Sequence, residues 1–381
     1  MTGYIGNAPT ALPLASTDLA DGIVTNSKLA SGSQENLRNI CQNGDMSISQ
    51  RSTSTASITG SGYHTVDRFY TDISNGGTWT QSQSTDVPSG QGFAKSLKMD
   101  CTTADTSLLS TDRILIYQRF EGQNLQYLKK GTSSAESLTL SFWVKSNKTG
   151  TYIAELYDTD NTRQISKSYT INSASTWEKK TLTFAGDTSG ALGNDNQNSL
   201  AVNFWLGAGT FFSSGTLNTS WNSITEANRV VGNVNLADST SNEWYITGVQ
   251  LETSDTASDF EFLPFDVNLR RCLRYYWRIV GDSSTSTTLG MGFATSTTNQ
   301  GSQIEYPVPM RSVPSIPGSS GIQLSDRNSY TLNYSSLVIN AASVYGMTLD
   351  ARVSSGLTVL RPGNNTLAPG TSNYIEFSAE L

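Results

Sequence analysis

The sequence has little of what most enzymes and metalloproteins use. Only one histidine, His64, occurs in 381 residues, so a Ser-His-Asp or Cys-His catalytic system would have to use it. We interpret it as an ordinary surface or strand histidine. The Cys, His and carboxylate spacing of a zinc site is absent, and no P-loop or dinucleotide fingerprint links a predicted strand to a predicted helix. We therefore predict a protein that is not an enzyme and needs no cofactor.

Cysteine and long apolar runs are also scarce. Cys41, Cys101 and Cys272 are an odd number at wide spacing, which is not the pattern of a disulfide framework. We predict buried free thiols, as expected for assembly in a reducing cytosol. The first residues lack the pattern of a signal peptide. No stretch of 18 apolar residues occurs, so we predict no membrane insertion.

Charged residues make up only 15% of the chain, with a net charge of −7. A nucleic-acid-binding protein needs a concentrated basic face, so we expect no nucleic-acid partner. The one basic cluster, Arg270, Arg271 and Arg274, has the spacing of a short helix. We interpret it as a solvated helix face.

The chain is instead rich in Ser, Thr, Asn and aromatic residues, including 16 Tyr and 7 Trp. Aromatic residues among hydroxyl-bearing and β-branched ones favour pleated sheets. In the segment 137–145, Leu138, Leu140, Phe142 and Val144 alternate with polar residues and Trp143, which predicts a strand with one buried face. Comparable strands are predicted at 113–120, 151–157, 177–184, 199–206, 243–251, 287–294, 303–308, 330–332, 336–339, 347–353 and 374–380.

These patterns predict an all-β protein in four parts. Residues 1–35 form an extended arm whose apolar residues are too sparse for a core of their own. It is either a floppy terminus or an assembly arm that orders against another chain. Residues 36–266 form a jelly-roll β-sandwich, with a short helix at 121–129. Residues 267–279 form a helical connector, and 280–381 a small C-terminal β-sandwich.

Several short motifs, weak singly but fairly specific in their joint order, resemble those of phage tail-fibre and virion appendage proteins. They cover nearly the whole chain: Gly3–Gly6, Asn43–Met46, Gln50-Arg51, Val66–Tyr70, Ser141–Ser146, Trp177, Thr247–Glu252, Phe260–Phe262, Pro264-Phe265, Cys272–Tyr276 and Tyr374–Leu381. The opening and the Asp18–Lys28 stretch look like the N-terminal arm of fibre proteins of marine and cyanobacterial phages.

The segment from Asn43 to Glu252 also resembles the jelly rolls of carbohydrate-binding modules. In such modules, carboxylates near the opening and closing strands sometimes hold a structural calcium ion. The matching positions here are Asp45 and Glu252, which are therefore calcium candidates. The paired acidic residues usual before the closing Val are replaced by Thr247 and Gly248, which counts against a calcium site.

The resemblance implies a homotrimeric tail-fibre or spike subunit, located in the virion and assembled in the bacterial cytoplasm. The arm would dock on a phage tail or capsid protein through Tyr4, Ile5, Pro9, Leu12 and Leu14. The partner at the other end would be a host-surface glycan. Aromatic faces stack on sugars and loops carry binding residues, so the candidate contacts are Trp221 and, in a loop predicted over 318–334, Asp326, Arg327, Tyr330 and Tyr334.

Two alternatives remain at this stage: a capsid or tail decoration protein without a receptor role, and a glycan depolymerase. A glycosidase needs two carboxyl groups roughly 5–10 Å apart. Four pairs are close in sequence, and we interpret each as part of a solvated turn: Asp100/Asp105, Asp158/Asp160, Asp187/Asp195 and Asp255/Asp259.

Overall fold

A computed structural model describes residues 38–325 and 331–381. The predicted arm, with Tyr4, Ile5, Pro9, Leu12 and Leu14, lies outside the described residues, as do Asp326, Arg327 and Tyr330. Within the described ranges the chain is nearly all strand, which confirms the predicted all-β fold class. The helices found there are too short to cross a membrane.

The larger part is a sandwich of two six-stranded antiparallel sheets. The first sheet runs in the order β1 (Ser54–Ile58), β3 (Thr78–Ser84), β4 (Ser96–Thr103), β12 (Glu243–Thr253), β6 (Leu138–Ser146), β9 (Glu178–Phe184). The second runs in the order β11 (Asn222–Ser223), β8 (Arg163–Ile171), β7 (Gly150–Asp158), β10 (Asn198–Ala208), β5 (Arg113–Glu121), β2 (Tyr70–Ser74). The core lies between the sheets, where Phe142 of β6 and Phe204 of β10 meet edge to face at 5.1 Å.

The strand β6 is buried on both faces, so the prediction of one solvated face is wrong. Leu140, Phe142 and Val144 face the core as predicted, but Thr139 and Ser141 on the other side are also buried. An aromatic cluster of Phe93, Phe260 and Phe262 lies beside them, with ring centroids 4.8–5.1 Å apart. These aromatic residues come from loops distant in sequence, which the alternation within β6 cannot reveal.

The outer face of the second sheet is covered in part by the segment 209–234. It contains the helix α1 (Thr210–Ser213) and a 3-10 turn (Glu226–Asn228). Phe212 and Val230 of this segment pack on Ile153 and Trp205 of the sheet. The fully buried Glu155 there accepts hydrogen bonds from Arg229, Asn203 and Trp205, so its charge is compensated.

Two predicted helical segments differ in detail. The 121–129 segment forms two 3-10 turns, Gly122–Asn124 and Gln126–Leu128, with Leu125 and Leu128 buried. The helix predicted over 267–279 is α2 (Phe265–Leu273), and the chain is already a strand, β13, over Tyr276–Val280. Aromatic and β-branched residues favour strand there, and the pairing of β13 with β22 (Tyr374–Ser378) supplies backbone partners that a longer helix would forgo.

The C-terminal part is a smaller sandwich. Its first sheet is β13, β22 and β16 (Ser319–Ser320). Its second has seven strands in the order β18 (Thr331–Asn333), β17 (Ile322–Ser325), β21 (Pro362–Leu367), β14 (Thr287–Ala294), β15 (Asn299–Glu305), β20 (Gly346–Arg352), β19 (Ser336–Ala342). Leu289, Ile304 and Met347 pack against Ile375 and Phe377 between the sheets. The loop predicted over 318–334 instead contains three short strands in its described residues.

The two sandwiches are joined by a buried polar network. Arg68, 1% exposed, forms an ion pair with Glu380 and lies 3.4 Å from the ring centroid of Tyr275. It also donates to the side chain of Gln42 and to the carbonyl of Arg119, both at 2.9 Å. Because a buried guanidinium without partners is costly, this network fixes the C-terminal sandwich against the larger one.

A candidate ligand-binding cleft lined by tyrosine and arginine

A cleft of about 440 Å³ opens where the two sandwiches meet. We call it the tyrosine cleft; its main lining residues are Arg51, Tyr63, His64, Tyr276, Arg278, Tyr374 and Glu376. The side chains of β13 and β22 point alternately to the cleft and to the C-terminal core, and this alternation accounts for one wall of the cleft. Tyr276 and Arg278 point to the cleft while Trp277 and Ile279 pack on the C-terminal core, and Tyr374 and Glu376 alternate in the same way with Ile375 and Phe377.

Two arginines lie over tyrosine rings in this cleft. The Arg51 guanidinium is 3.5 Å from the centroid of Tyr276 and 4.9 Å from that of Tyr63, and Arg278 is 4.0 Å from that of Tyr374. Cation–π contacts of this kind hold both planar groups in place. The cleft wall is therefore preorganised and presents flat, partly polar surfaces to a ligand.

Three buried polar atoms in the cleft lack a hydrogen-bond partner among the described residues: Nη1 of Arg51, Nε2 of His64 and Nε of Arg278. The first lies 3.8 Å from Asp67, while Arg278 has no carboxylate within ion-pair distance in the described part of the chain. Buried polar groups are normally bonded to protein, water or ligand. Three such atoms in one cleft indicate a surface suited to a hydrogen-bonding molecule.

The protonation states in the cleft follow from burial. Burial lowers the pKa of His64, and the nearby Arg51 charge lowers it further against a backbone hydrogen bond to Gly60 that raises it. A neutral imidazole can donate from one ring nitrogen and accept at the other. Burial and the hydrogen bond to Glu376 raise the pKa of Tyr276, whose hydroxyl donates to that carboxylate.

A row of aromatic residues leads away from the cleft over the second sheet. Tyr63 and Tyr70 meet edge to face at 4.9 Å, Tyr70 stacks on Tyr117 at 4.8 Å, and the Arg119 guanidinium lies 4.6 Å from the ring of Tyr117. Tyr70 and Arg119 are half-buried. Sugar rings and other flat molecules bind such aromatic faces, so the row extends the surface of the cleft.

Two of the predicted glycan contacts, Trp221 and Tyr334, lie within the described residues, and both make contacts with the rest of the fold. The indole N–H of Trp221 donates to the carbonyl of Ala185 at 2.8 Å, and Lys130 Nζ lies 5.2 Å from its ring. Tyr334 packs on the C-terminal core, and its hydroxyl lies 3.1 Å from Ser319 Oγ. Neither residue lines the tyrosine cleft.

The two calcium candidates each have protein donors. Asp45 accepts from Asn268 Nδ2 at 2.9 Å and Ser47 Oγ at 3.0 Å. The buried Glu252 accepts from Gln250 and from the backbone N–H and hydroxyl of Ser258. Within residues 38–325 and 331–381, no three His, Cys, Asp or Glu side chains are grouped as a metal site would require.

Elsewhere in the fold, the ammonium group of a lysine side chain lies between two carboxylates. Nζ of Lys130 is 2.5 Å from Asp158, 2.9 Å from Asp187, and 3.1 and 2.9 Å from the carbonyls of Ser189 and Gly190. We call this arrangement the lysine cage. Asp158 and Asp187 are both buried, so interpreting them as solvated turn residues was wrong. Long-range folding brings together two acids that sequence proximity had assigned to different pairs.

All three cysteines are buried and free, as predicted. The basic cluster is not the solvated face that we expected. Arg271 and Arg274 are half-buried, and Arg274 makes two hydrogen bonds of 2.7 Å to the fully buried Glu121. Only Arg270 is exposed.

No protein-family model matches this chain, and no curated protein matches it either. Solved structures show distant likeness. The enzymatically active domain of tailspike protein 4 from bacteriophage CBA120 is 16% identical with a TM-score of 0.31, over 57% of this chain and only 22% of that one.

Two carbohydrate-binding modules are also similar. TmCBM61, solved with β-1,4-galactotriose, is 10% identical over 57% of this chain and 99% of its own, with a TM-score of 0.29. The family 11 module of Clostridium thermocellum, solved with a mixed-linked tetrasaccharide, is 12% identical over 54% of this chain and 98% of its own, with a TM-score of 0.25. At these values the likeness says nothing about what this chain binds.

Proposed function

We propose that this chain is a non-catalytic glycan-binding subunit of a phage tail fibre or spike, and that the tyrosine cleft holds the glycan. The observation that carries the binding role is that three residues lining one cleft, Arg51, His64 and Arg278, each have a buried polar atom without a hydrogen-bond partner among the described residues. Sugars offer both the hydroxyl groups that would satisfy these atoms and the apolar ring faces that suit Tyr63 and Tyr374.

The motifs from Asn43–Met46 to Tyr374–Leu381 that resemble phage appendage proteins support the virion part of the proposal. In it, residues 1–35 dock on a tail or capsid protein, and three copies assemble so that weak individual sites gain avidity. A decoration protein without a receptor role would share the fold, and it would bind no glycan through this cleft.

The lining of the tyrosine cleft favours binding over cleavage. Among the described residues that line it, Glu376 is the one carboxylate, and it already accepts a hydrogen bond from the Tyr276 hydroxyl. Glycoside hydrolysis ordinarily needs two carboxyl groups facing each other across the bond. A depolymerase would release new reducing ends from host polysaccharide, whereas we expect intact polysaccharide after incubation with this protein.

The test uses the full chain on an array of bacterial capsular and lipopolysaccharide glycans. Arg278→Met removes the Nε donor that has no partner, together with the hydrogen bond from Nη1 to the carbonyl of Arg51, and Tyr374→Ala removes the ring near which the guanidinium lies. Each should weaken binding at least about tenfold, the range of one or two hydrogen bonds to a charged group. Tyr345→Ala is the matched control, because this tyrosine is 68% exposed and lies outside the cleft.

Two results would count against the proposal: no glycan bound by the wild-type chain, or unchanged binding in both cleft variants that remain folded.

The position of the tyrosine cleft between the two sandwiches also predicts how a fragment of the chain should behave. Arg51, Tyr63 and His64 come from the larger sandwich, so residues 280–381 alone should not reproduce the binding of the full chain. Binding by that fragment alone would return recognition to the C-terminal loops around Tyr330 and Tyr334.

A further inference from the structure

A second, larger cleft of about 730 Å³ lies beside α2. Its walls are α2, the 3-10 turns after β5, the segment 39–42 and the pair Val308-Pro309. We call it the basic cleft. It shares no lining residue with the tyrosine cleft, so what it binds does not depend on the function proposed above.

The three arginines of this cleft differ in how they are paired. Arg274 is compensated by the buried Glu121. Arg271 donates to the carbonyl of Asn39 at 3.1 Å and has no carboxylate within ion-pair distance in the described ranges. Its burial lowers its pKa, with nearby acidic groups opposing that effect. Arg270 is exposed and has no hydrogen-bond or ion-pair partner among the described residues.

Asp266 is the other carboxylate on the cleft wall besides Glu121. Of the three guanidinium groups only that of Arg274 forms an ion pair; Arg271 has the carboxylate of Glu261 in its surroundings, beyond ion-pair distance. A partly buried guanidinium without an ion-pair partner, such as that of Arg271, attracts an anion more strongly than a solvated one does, because water screens it less.

The rest of the wall is apolar and aromatic. Ile40, Leu125, Val267, Val308 and Pro309 line it, and the Tyr127 ring is 48% exposed at its side. A small inorganic anion would leave this surface unused. A ligand that carries both an anionic group and a ring with an apolar face would cover it.

We infer that the basic cleft binds a carboxylate-bearing sugar, with the carboxylate on the guanidinium groups of Arg270 and Arg271 and a ring face against Tyr127. The planar guanidinium fork matches a carboxylate with two parallel hydrogen bonds. The aromatic ring supplies the stacking surface, and the side-chain amide of Asn124 on the same wall can bond a hydroxyl.

The experiment compares two forms of one oligosaccharide by calorimetry with the full chain: oligogalacturonate and its methyl ester. Esterification removes the charge and keeps the ring. We expect binding of the acid form and at least a tenfold weaker binding of the ester. Arg270→Gln should reduce binding of the acid form by a similar factor, without unfolding the chain, since Arg270 is exposed.

Arg352→Gln is the matched control, an exposed arginine of β20 that lies away from the cleft. It should leave binding unchanged. The inference is overturned if acid and ester bind equally, if neither binds, or if Arg270→Gln has no more effect than Arg352→Gln. Inorganic phosphate that displaces the oligomer as efficiently as monomeric galacturonate would overturn the assignment to carboxylate sugars.

Discussion

Tyr275 and Tyr276 are consecutive residues whose side chains line two different clefts, Tyr275 the basic cleft and Tyr276 the tyrosine cleft. The hydroxyl of Tyr275 donates to Glu121 at 2.5 Å, and that of Tyr276 donates to Glu376. Tyr275 lies in the turn after α2, and Tyr276 is the first residue of β13. This short connection therefore forms part of the wall between the clefts, and substitutions in one cleft can leave the other intact.

Removing one partner of the Arg68–Glu380 ion pair should lower the stability of the fold substantially. Glu380→Gln leaves a guanidinium that is 1% exposed without its carboxylate. We expect the free energy of unfolding to fall by about 3–5 kcal/mol, as for other broken buried pairs. Urea titration followed by tryptophan fluorescence measures the change.

The matched control for that variant is Glu136→Gln, which breaks the exposed pair with Lys129. It should change the free energy of unfolding by less than about 1 kcal/mol. Equal effects of Glu380→Gln and Glu136→Gln would mean that the buried network does not join the two sandwiches as described.

The lysine cage should accept calcium once its own cation is removed. Lys130→Ala leaves the buried Asp158 without its cation, while Asp187 keeps its pair with Arg163. The two carboxylates and the two nearby carbonyls are oxygen ligands of the kind that Ca²⁺ prefers. We expect a loss of about 3–5 kcal/mol without added metal. Millimolar Ca²⁺ should then raise the melting temperature of the variant while leaving that of the wild type unchanged.

Lys129→Ala is the neighbouring control, because that lysine is exposed. Its melting temperature should not respond to calcium. A Lys130→Ala variant that is as stable as the wild type, or that ignores calcium, would show that the four oxygens do not enclose the ammonium group as a cation site.

His64 should make the fold less stable below neutral pH. Its pKa is lowered by burial from the ordinary value of 6.5, so the unfolded chain binds a proton at this residue more readily than the folded chain does. Stability is then unaffected above pH 6.5 and falls as the pH drops toward the folded-state pKa. The free energy of unfolding at pH 7.5 and pH 5.5 should differ more in the wild type than in His64→Gln.

Other groups also titrate between pH 5.5 and 7.5. Their contribution to the free energy of unfolding cancels when the wild type is compared with His64→Gln. The prediction fails if wild type and His64→Gln lose the same free energy between the two pH values. A glycan in the tyrosine cleft that bonds the neutral imidazole should also bind more weakly once the pH falls below the folded-state pKa of His64, and this loss should be absent in His64→Gln.

Substituting Trp221 distinguishes a role in glycan binding from a role in the stability of the fold. Trp221→Phe removes the hydrogen bond to Ala185 while keeping an aromatic ring. We expect the free energy of unfolding to fall by about 1 kcal/mol and glycan binding to stay as in the wild type. Reduced binding by a variant of unchanged stability would instead identify Trp221 as a sugar contact.

The strands of this protein could be predicted well because their signal is local. In 137–145 the alternation around Phe142 placed the correct side chains in the core. What covers the other face could not be predicted, since Phe93 and Phe260 come from distant loops. The end of α2 was also misplaced, because the apolar spacing of Leu269, Leu273 and Tyr276 fits a helix until β22 is available as a pairing partner.

The candidate site was beyond sequence reasoning for a similar reason. Arg51 and Arg278 are in contact although 227 positions separate them, and no periodicity links positions so far apart. Asp158 and Asp187 were each paired with a neighbour in sequence, and the Lys130 that lies between them carried no signal. The short motifs Gln50-Arg51 and Cys272–Tyr276 did include parts of both clefts, but only as a resemblance without geometry.

The separation of Arg68 and Glu380 along the chain has a consequence for synthesis. Glu380 follows Arg68 by 312 positions, and at typical rates of elongation the ribosome needs roughly 15 to 60 s to make that length. After β12 ends at Thr253, the larger sandwich has all its strands, but until Glu380 is made it lacks the partner of the buried Arg68. The nascent protein should therefore stay open and protease-sensitive around Arg68 until the last strand emerges, a state that pulse-labelling with limited proteolysis would detect.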